Sequence, residues 1–304
     1  MAVLFFLPMY SQAAGYDFYV DENSPEATEN GTEQRPFKTI GAALQRIKDE
    51  KMKDKSIFIK KGTYEESLEV RSGTDLFGES ESETVISATD KKNALSFIST
   101  SSLIKNLTIS DADSTNIVID KHSKVTIKDC TVEKAGKYGI EVEKSNTKER
   151  YKFTISGSSV TESRLQGVYV SERRVRVSGN EIFENDGEGI DLHSSVKGSV
   201  SGNDFHGNAE SGIELILSGS SVKIRDNEVE NNHTQGITVQ AYSEKKGKVT
   251  ISKNTIKGNS EYGIRYANYT YSLGPKKFEK FVKKYVKLFG NTNRDNNEGD
   301  VRYE

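Results

Sequence analysis

The 304-residue chain has no tryptophan, a single cysteine and no long apolar run, and its charges nearly balance. With Cys130 alone there is no disulfide framework, an absence that neither requires nor excludes export. Against 45 acidic side chains stand 43 basic ones, a net charge of −2 without the basic excess of a nucleic-acid binder. Hydrophobic residues make up 34%, low for a large globule but suited to a fold whose core is a thin column. The apolar stretch Ala2-Val-Leu-Phe-Phe-Leu-Pro-Met9 is far shorter than the ~20 residues a membrane helix needs, and no later segment reaches that length. It reads instead as the apolar part of a signal peptide over residues 1–14, with cleavage after Ala13 and without the usual basic start. A buried N-terminal strand is the alternative. On the first reading the protein is exported and soluble: secreted, periplasmic or at the cell surface.

What the chain does have is a repeated phrase. Gly139-Ile-Glu-Val142 returns as Gly167-Val-Tyr-Val170, Gly189-Ile-Asp-Leu192, Gly212-Ile-Glu-Leu215, Gly236-Ile-Thr-Val239 and Gly263-Ile-Arg-Tyr266. The glycines stand 28, 22, 23, 24 and 27 residues apart. A period near two dozen marks a solenoid, whose units bury their apolar faces only by stacking. Upstream of the phrases lie alternating segments such as Val125-Thr-Ile127, Val175-Arg-Val177 and Val249-Thr-Ile251, each fit for a short strand with one buried face. Three residues on comes a corner column: Cys130, Ser158, Asn180, Asn203, Asn227 and Asn254. A second column holds Asn185, Asn208, Asn232 and Asn259. Asparagine tolerates left-handed backbone and bonds to a copy of itself one rung away, which suits a stacked corner. Three strands per turn with these corners predict an all-β, single-stranded right-handed parallel β-helix of about nine rungs.

The expected organisation has a polar lead-in and capping helix over 15–55, rungs over 56–274, and a basic amphipathic helix with a tail over 275–304. Thr39 is placed to N-cap a helix through Ala42, Ala43, Leu44 and Ile47, covering one open end. Phe278, Phe281, Val282, Tyr285, Val286, Leu288 and Phe289 follow helical spacing, with Gly290 as its C′ residue. The lysines between them fit a solvated cap and also a contact with an anionic polymer or membrane surface. Two insertions, 145–151 and 242–248, lengthen their rungs and should project from one side.

The repeats over roughly 56–267, with Tyr19-Val-Asp21, Pro36-Phe-Lys-Thr-Ile40, Ile57-Phe-Ile59 and Gly62-Thr-Tyr64 before them, resemble the secreted right-handed β-helix proteins of the pectate-lyase-like superfamily. The resemblance implies the fold and leaves function open, since this scaffold hosts lyases, epimerases, hydrolases and non-catalytic adhesins. Within it, Gly189-Ile-Asp-Leu-His193 resembles the Tyr-Gly-Phe-Asp-Pro-His segment of the alginate (mannuronan) C5-epimerases. That implies proton transfer at C5 by His193, with Asp191 beside it. Glu188 stands where those enzymes have a catalytic tyrosine, Leu192 replaces the proline, and Ile216 stands where a further aspartate is expected. Without tryptophan the Trp-Ile-Asp-His segment of pectate lyases is absent, and so are the paired aspartates of polygalacturonases.

In each phrase the β-branched and second apolar residues point inward, leaving two outward columns. One reads Glu141, Tyr169, Asp191, Glu214, Thr238, Arg265; the other Glu143, Ser171, His193, Ile216, Gln240, Ala267. Tyr169, Asp191, His193 and Glu214 then gather on three rungs as candidate acid, base and proton-sharing carboxylates, with Arg265, Gln240 and Glu141 as substrate contacts. A solvated sheet face is the competing account. Arg265, Lys223 or Arg225 would neutralise a uronate carboxylate. Ser110-Asp-Ala-Asp-Ser-Thr-Asn116 has the alternation of a calcium loop without its turn glycine and closing glutamate, so an ordinary polar turn is favoured over a calcium site. His122, His206 and His233 fall in turns without metal-ligand spacing. Two functions follow. One is an exported monomer that binds or modifies acidic polysaccharide or a cell-surface glycan, by uronate lyase or C5-epimerase chemistry where it is catalytic. The other is a non-catalytic surface or scaffold solenoid, favoured by the short turns after residues 189 and 212.

Overall fold

The computed structural model describes residues 15–145 and 152–304. The expected signal peptide and nearly all of the 145–151 insertion lie outside them. The strands form three parallel sheets of 11, 10 and 10 strands. Every turn visits them in the same order, as the alternating segments predict. In the middle rung, Arg174–Ser178 belongs to sheet 1, Glu181–Phe183 to sheet 2 and Ile190–His193 to sheet 3. The glycine phrases all begin strands of sheet 3.

Register follows the phrase. Ile190, Ile213, Ile237 and Ile264 are successive partners across sheet 3, and Leu192, Leu215 and Val239 form the stack beside them. All seven are buried in one continuous core. At about 1.5–3 kcal/mol for each fully buried aliphatic side chain, these stacks bind each rung to the next. The phrase glycine serves close approach: a Cβ on Gly189 would come within 2.7 Å of the Gly212 carbonyl and 3.0 Å of the Asn208 amide.

Both asparagine columns are ladders. Asn180, Asn203, Asn227 and Asn254 each donate Nδ2 to the next Oδ1 at 2.9 Å, ending on Asn291. Asn185, Asn208, Asn232 and Asn259 do the same at 2.8–3.0 Å, ending on Asn296. The left-handed residue at each corner is not the asparagine but the one before it, as at Gly202 (φ 64°), Asp226 (φ 54°) and Glu184 (φ 51°). Asparagine is therefore selected for pairing along the coil rather than for backbone freedom.

Helix α1 (Ile40–Asp49) starts where expected: the Thr39 hydroxyl accepts from the Ala42 amide at 3.1 Å, and Ile40, Ala43 and Ile47 enter the core. Glu66 accepts from the Ile40 and Gly41 amides at 2.7 and 2.8 Å, a carboxylate on the positive end of the helix. Helix α2 (Pro275–Tyr285) buries Phe278 and Val282 but stops earlier than its apolar spacing suggested. Val286–Phe289 is a strand paired with Val249–Ser252, and Gly290 (φ 66°) turns the chain into a further rung, Thr292–Arg294 and Gly299–Tyr303. The chain thus makes ten rungs rather than nine, and the segment read as helix and tail supplies the last one. Strand pairing with the preceding rung and the ladder bonds to Asn291 and Asn296 outweigh the local helical pattern.

Candidate functional site

Sheet 3 sets its outer face by alternation alone. Glu141, Tyr169, Asp191, Glu214, Thr238 and Arg265 are successive partners, about 4.8 Å apart as strand spacing requires. His193 pairs with Ser171 on the neighbouring strand and lies on the same face as Asp191. Its Nδ1 is 3.7 Å from Asp191 Oδ2, an ion-pair separation longer than a hydrogen bond. Asp191 is only 5% exposed, and its other oxygen, Oδ1, has no hydrogen-bond partner. Immediately after His193 the chain takes two consecutive left-handed residues, Ser194 (φ 53°) and Ser195 (φ 51°). Such conformations cost of order 1–3 kcal/mol each and collect at functional sites.

The carboxylates form a larger group than the two outward columns contain. Glu188 precedes its phrase glycine and Glu210 sits in the next corner; both join Asp191 and Glu214. Gln166 donates to Glu188 at 2.6 Å, and the Gln240 amide donates to Glu214. Burial, then the charges of Glu188, Asp191 and Glu210, push Glu214 up to about 9. Burial and the adjoining Glu188 carboxylate push Glu210 up to about 7. Asp191 is raised by burial and held back by His193, while His193 is raised by Asp191. Tyr169 is pushed up to about 12 by burial and the Asp191 charge. At neutral pH the face therefore holds a protonated Glu214 and a neutral phenol, beside an imidazole whose hold on its proton is strengthened by Asp191.

Two aromatic pairs flank these groups. Tyr138 stacks on Tyr169 at 5.2 Å with Lys137 over the outer ring, and Tyr169 continues to His193 at 5.6 Å. On the other side Tyr242 stacks on Tyr269 at 4.8 Å. Tyr242 opens the 242–248 loop, which crosses back over the rungs before it: Ser243 meets Ser218 at 3.0 Å and Lys245 Nζ reaches Ser195 at 3.2 Å. The short turns after 189 and 212 left the face without an evident wall, but this loop supplies one. Residues 146–151 of the other insertion lie outside the described residues.

The family model for the right-handed β-helix region matches residues 115–273. The chain belongs to the right-handed β-helix family. A curated relative of this β-helix, the uncharacterised protein YwoF of Bacillus subtilis (strain 168), is 25% identical over 327 residues, covering 86% of this chain and 66% of YwoF. The β-helix thus spans just under two thirds of that relative. Among solved structures, an alginate lyase from Paenibacillus sp. str. FPU-7 superposes with a TM-score of 0.65 at 15% identity, covering 87% of this chain and 96% of its own. A mutant of the periplasmic alginate epimerase AlgG gives 0.53 at 15% identity, with 82% and 74% covered. The pectate lyase Pel9A gives 0.52 at 13% identity, with 83% and 69% covered. At these identities the likeness is one of fold.

The structure brings Tyr169, Asp191, His193, Glu214 and Gln240 together and sets the other expected contacts apart. Glu141 lies two rungs before Asp191. Arg265 lies two rungs beyond Glu214 and is bound to Glu304 at 2.8 Å, so its charge is already answered. Lys223 and Arg225 belong to sheet 1, on another side of the coil, and cannot face a ligand on Asp191. Glu210, Tyr138, Tyr242, Tyr269 and Lys245 were missed, and Glu188 was read only as standing in the place of a tyrosine. The signal for Glu188 was available, since the residue before each phrase glycine forms a column of its own: Tyr138, Gln166, Glu188, Ser211, Gln235, Tyr262.

The other candidates resolve simply. Around Ser110–Asn116, Asp111 accepts from Ser110 and Ser87, and buried Asn116 bonds the backbone of Ala112, Ile109 and Glu133, so these polar groups hold a corner. Cys130 is buried and its thiol is pushed up to about 12, which makes it inert. His206 is not in a turn: it ends the sheet 2 strand Asp204–His206, 3.2 Å from Glu181, and its ligand atoms and those of Glu181 and Asp204 lie within 4.8 Å of one another. No helix among the described residues is long and apolar enough to cross a membrane.

Proposed function

We propose that this β-helix binds and modifies acidic polysaccharide on the outer face of sheet 3, by proton abstraction α to a uronate carboxylate. The observation that carries the reading is the half-buried Glu214 carboxyl, one strand from Asp191 and on the face of Tyr169 and His193, with its pKa pushed up to about 9. A neutral carboxylic acid can donate a hydrogen bond to the uronate carboxylate, and that bond strengthens as the enolate develops. Neutral His193 takes the C5 proton, oriented by Asp191 against Nδ1 with Nε2 left for the substrate. Tyr169, a phenol with its proton firmly held, returns a proton either to the leaving O4, giving a lyase product, or to the opposite face of C5, giving an epimer. Solved neighbours named as an alginate lyase, an alginate epimerase and a pectate lyase support this substrate class.

In the same reading residues 1–14 export the protein, α1 and α2 protect the ends of the core, and the chain works as a monomer outside the cytoplasm. The test is incubation with polymannuronate, polyguluronate and polygalacturonate. Absorbance of an unsaturated product reports elimination, and deuterium at C5 reports epimerisation. Neither signal on any of the three polymers would remove catalysis and leave a binding solenoid.

A further inference from the structure

The 242–248 loop carries more chemistry than a wall needs. Tyr242 and Tyr269 present a flat aromatic surface, 53% and 41% exposed, with rings 4.8 Å apart and 15° from parallel. It adjoins the carboxyl group of Glu214, because Gln240, two residues before Tyr242 and near the end of the strand that leads into the loop, donates to Glu214. From the same loop Lys245 reaches back to the Ser195 hydroxyl at 3.2 Å, two residues past His193. Among the described residues no carboxylate pairs with the Lys245 ammonium, although the face beside it is rich in them. Ser195 lies two rungs before the strand of Tyr242, about 10 Å along the coil by strand spacing. One sugar ring cannot touch both places.

We propose that Tyr242, Tyr269 and Lys245 form a binding track for a chain of anionic sugars, leading into the catalytic face. It rests on the polyuronate reading above and extends it from one reacting sugar to its neighbours. One ring lies with its apolar face on Tyr242 and Tyr269, and the carboxylate of a later ring meets Lys245 beside His193. Aromatic faces accept any sugar with an apolar side; the ammonium selects a charged one. The carboxyl-rich face alone would repel a polyanion, so a cation placed at its rim decides which polymer enters. Burial and the stacked Tyr269 raise the Tyr242 phenol, with smaller contributions from the nearby Glu214 and Asp191 carboxylates.

The test measures binding of polymannuronate, mannuronate monosaccharide and a neutral β-glucan at low and at physiological salt, alongside turnover. Tyr242→Ala and Tyr269→Ala should each weaken polymannuronate binding roughly tenfold, about 1.4 kcal/mol, at both salt levels. Phenylalanine at either position should restore it, which separates stacking from folding. Lys245→Gln should cost a similar factor at low salt and flatten the salt dependence. The monosaccharide, too short for the track, should bind all variants alike. Polymannuronate turnover by the parent protein with unchanged binding in every variant overturns the track and leaves the proposed function standing. Equal binding of the neutral glucan, indifferent to Lys245→Gln, overturns charge selection. No binding of any polyuronate by the parent protein overturns both.

Discussion

Two faces of this coil carry the same pattern of acids and treat it in opposite ways. On sheet 2, Glu181, Asp204 and Glu228 are successive partners, with His206 and Glu230 in the column beside them. Lys257 answers that group from the next rung, 2.9 Å from Glu228 and 2.6 Å from Glu230, while His206 answers Glu181. On sheet 3, Glu188, Asp191, Glu210 and Glu214 are stacked as closely, but their partners are two amides and one histidine at 3.7 Å. On sheet 2 side-chain cations answer the acids; on sheet 3 no cation among the described residues pairs with the Glu214 carboxyl, which is pushed up to about 9, first by burial. The supply of cations together with burial, more than the spacing of the carboxylates, separates an ion-paired ladder from the Glu214 group.

The largest effect should come from moving a carboxylate by one residue, from the outer face to the core. Ile213→Asp sets an acid beside Glu214 in sequence but inside the stack, where no partner exists, and should cost about 4–5 kcal/mol and melt the middle rungs. Chemical denaturation checks it; unchanged stability would mean that Ile213 does not point inward. Next comes Asp191→Asn, expected to lower polyuronate turnover 10²–10⁴-fold with the fold intact. The same substitution should bring the His193 titration, followed by NMR, down toward 6.5, since Asp191 is what raises it. A titration that does not move would show that the pair is not coupled.

The third prediction concerns pH. Rate should climb as His193 loses its proton above 6.5 and fall as Glu214 loses its own near 9, so Glu214→Gln should remove the falling limb. The smallest effects are on stability. An acid whose folded pKa is raised from 4.5 to about 9 makes the protein lose stability as pH rises between those values, because only the unfolded chain ionises there. Glu214→Gln should therefore stabilise at pH 7, by about 1–2 kcal/mol, and flatten that slope. Glu228→Gln on sheet 2, removing an exposed ion pair, should change stability by less than about 1 kcal/mol. Equal responses on the two faces would erase the contrast.

The core and the outer columns were legible because a two-residue strand period and a fixed rung length leave no freedom: once Ile190 points in, Asp191 points out and meets Glu214. The rest failed for identifiable reasons. The last rung was hidden because Phe278 to Phe289 has helical spacing, although Asn291 and Asn296 repeat the five-residue interval of Asn254 and Asn259. Lys245 and Tyr242 could not be placed, since a loop's path depends on what it meets, here Ser195 and Ser218. Glu188 was noticed only as a missing tyrosine. Its part in the carboxyl group depends on burial, which a list of outward positions does not contain.

The asparagine ladders also give the coil an electrical sense. Each side-chain amide accepts from the rung before and donates to the rung after, so every dipole in both ladders points the same way, from Asn180 to Asn291 and from Asn185 to Asn296. Aligned amides polarise one another, and their sum resembles that of a helix laid along two edges of the solenoid. The positive end faces the last rung and the negative end the first. Reversing one amide, or replacing it by an aspartate with no donor, would sever the alignment above it from the alignment below.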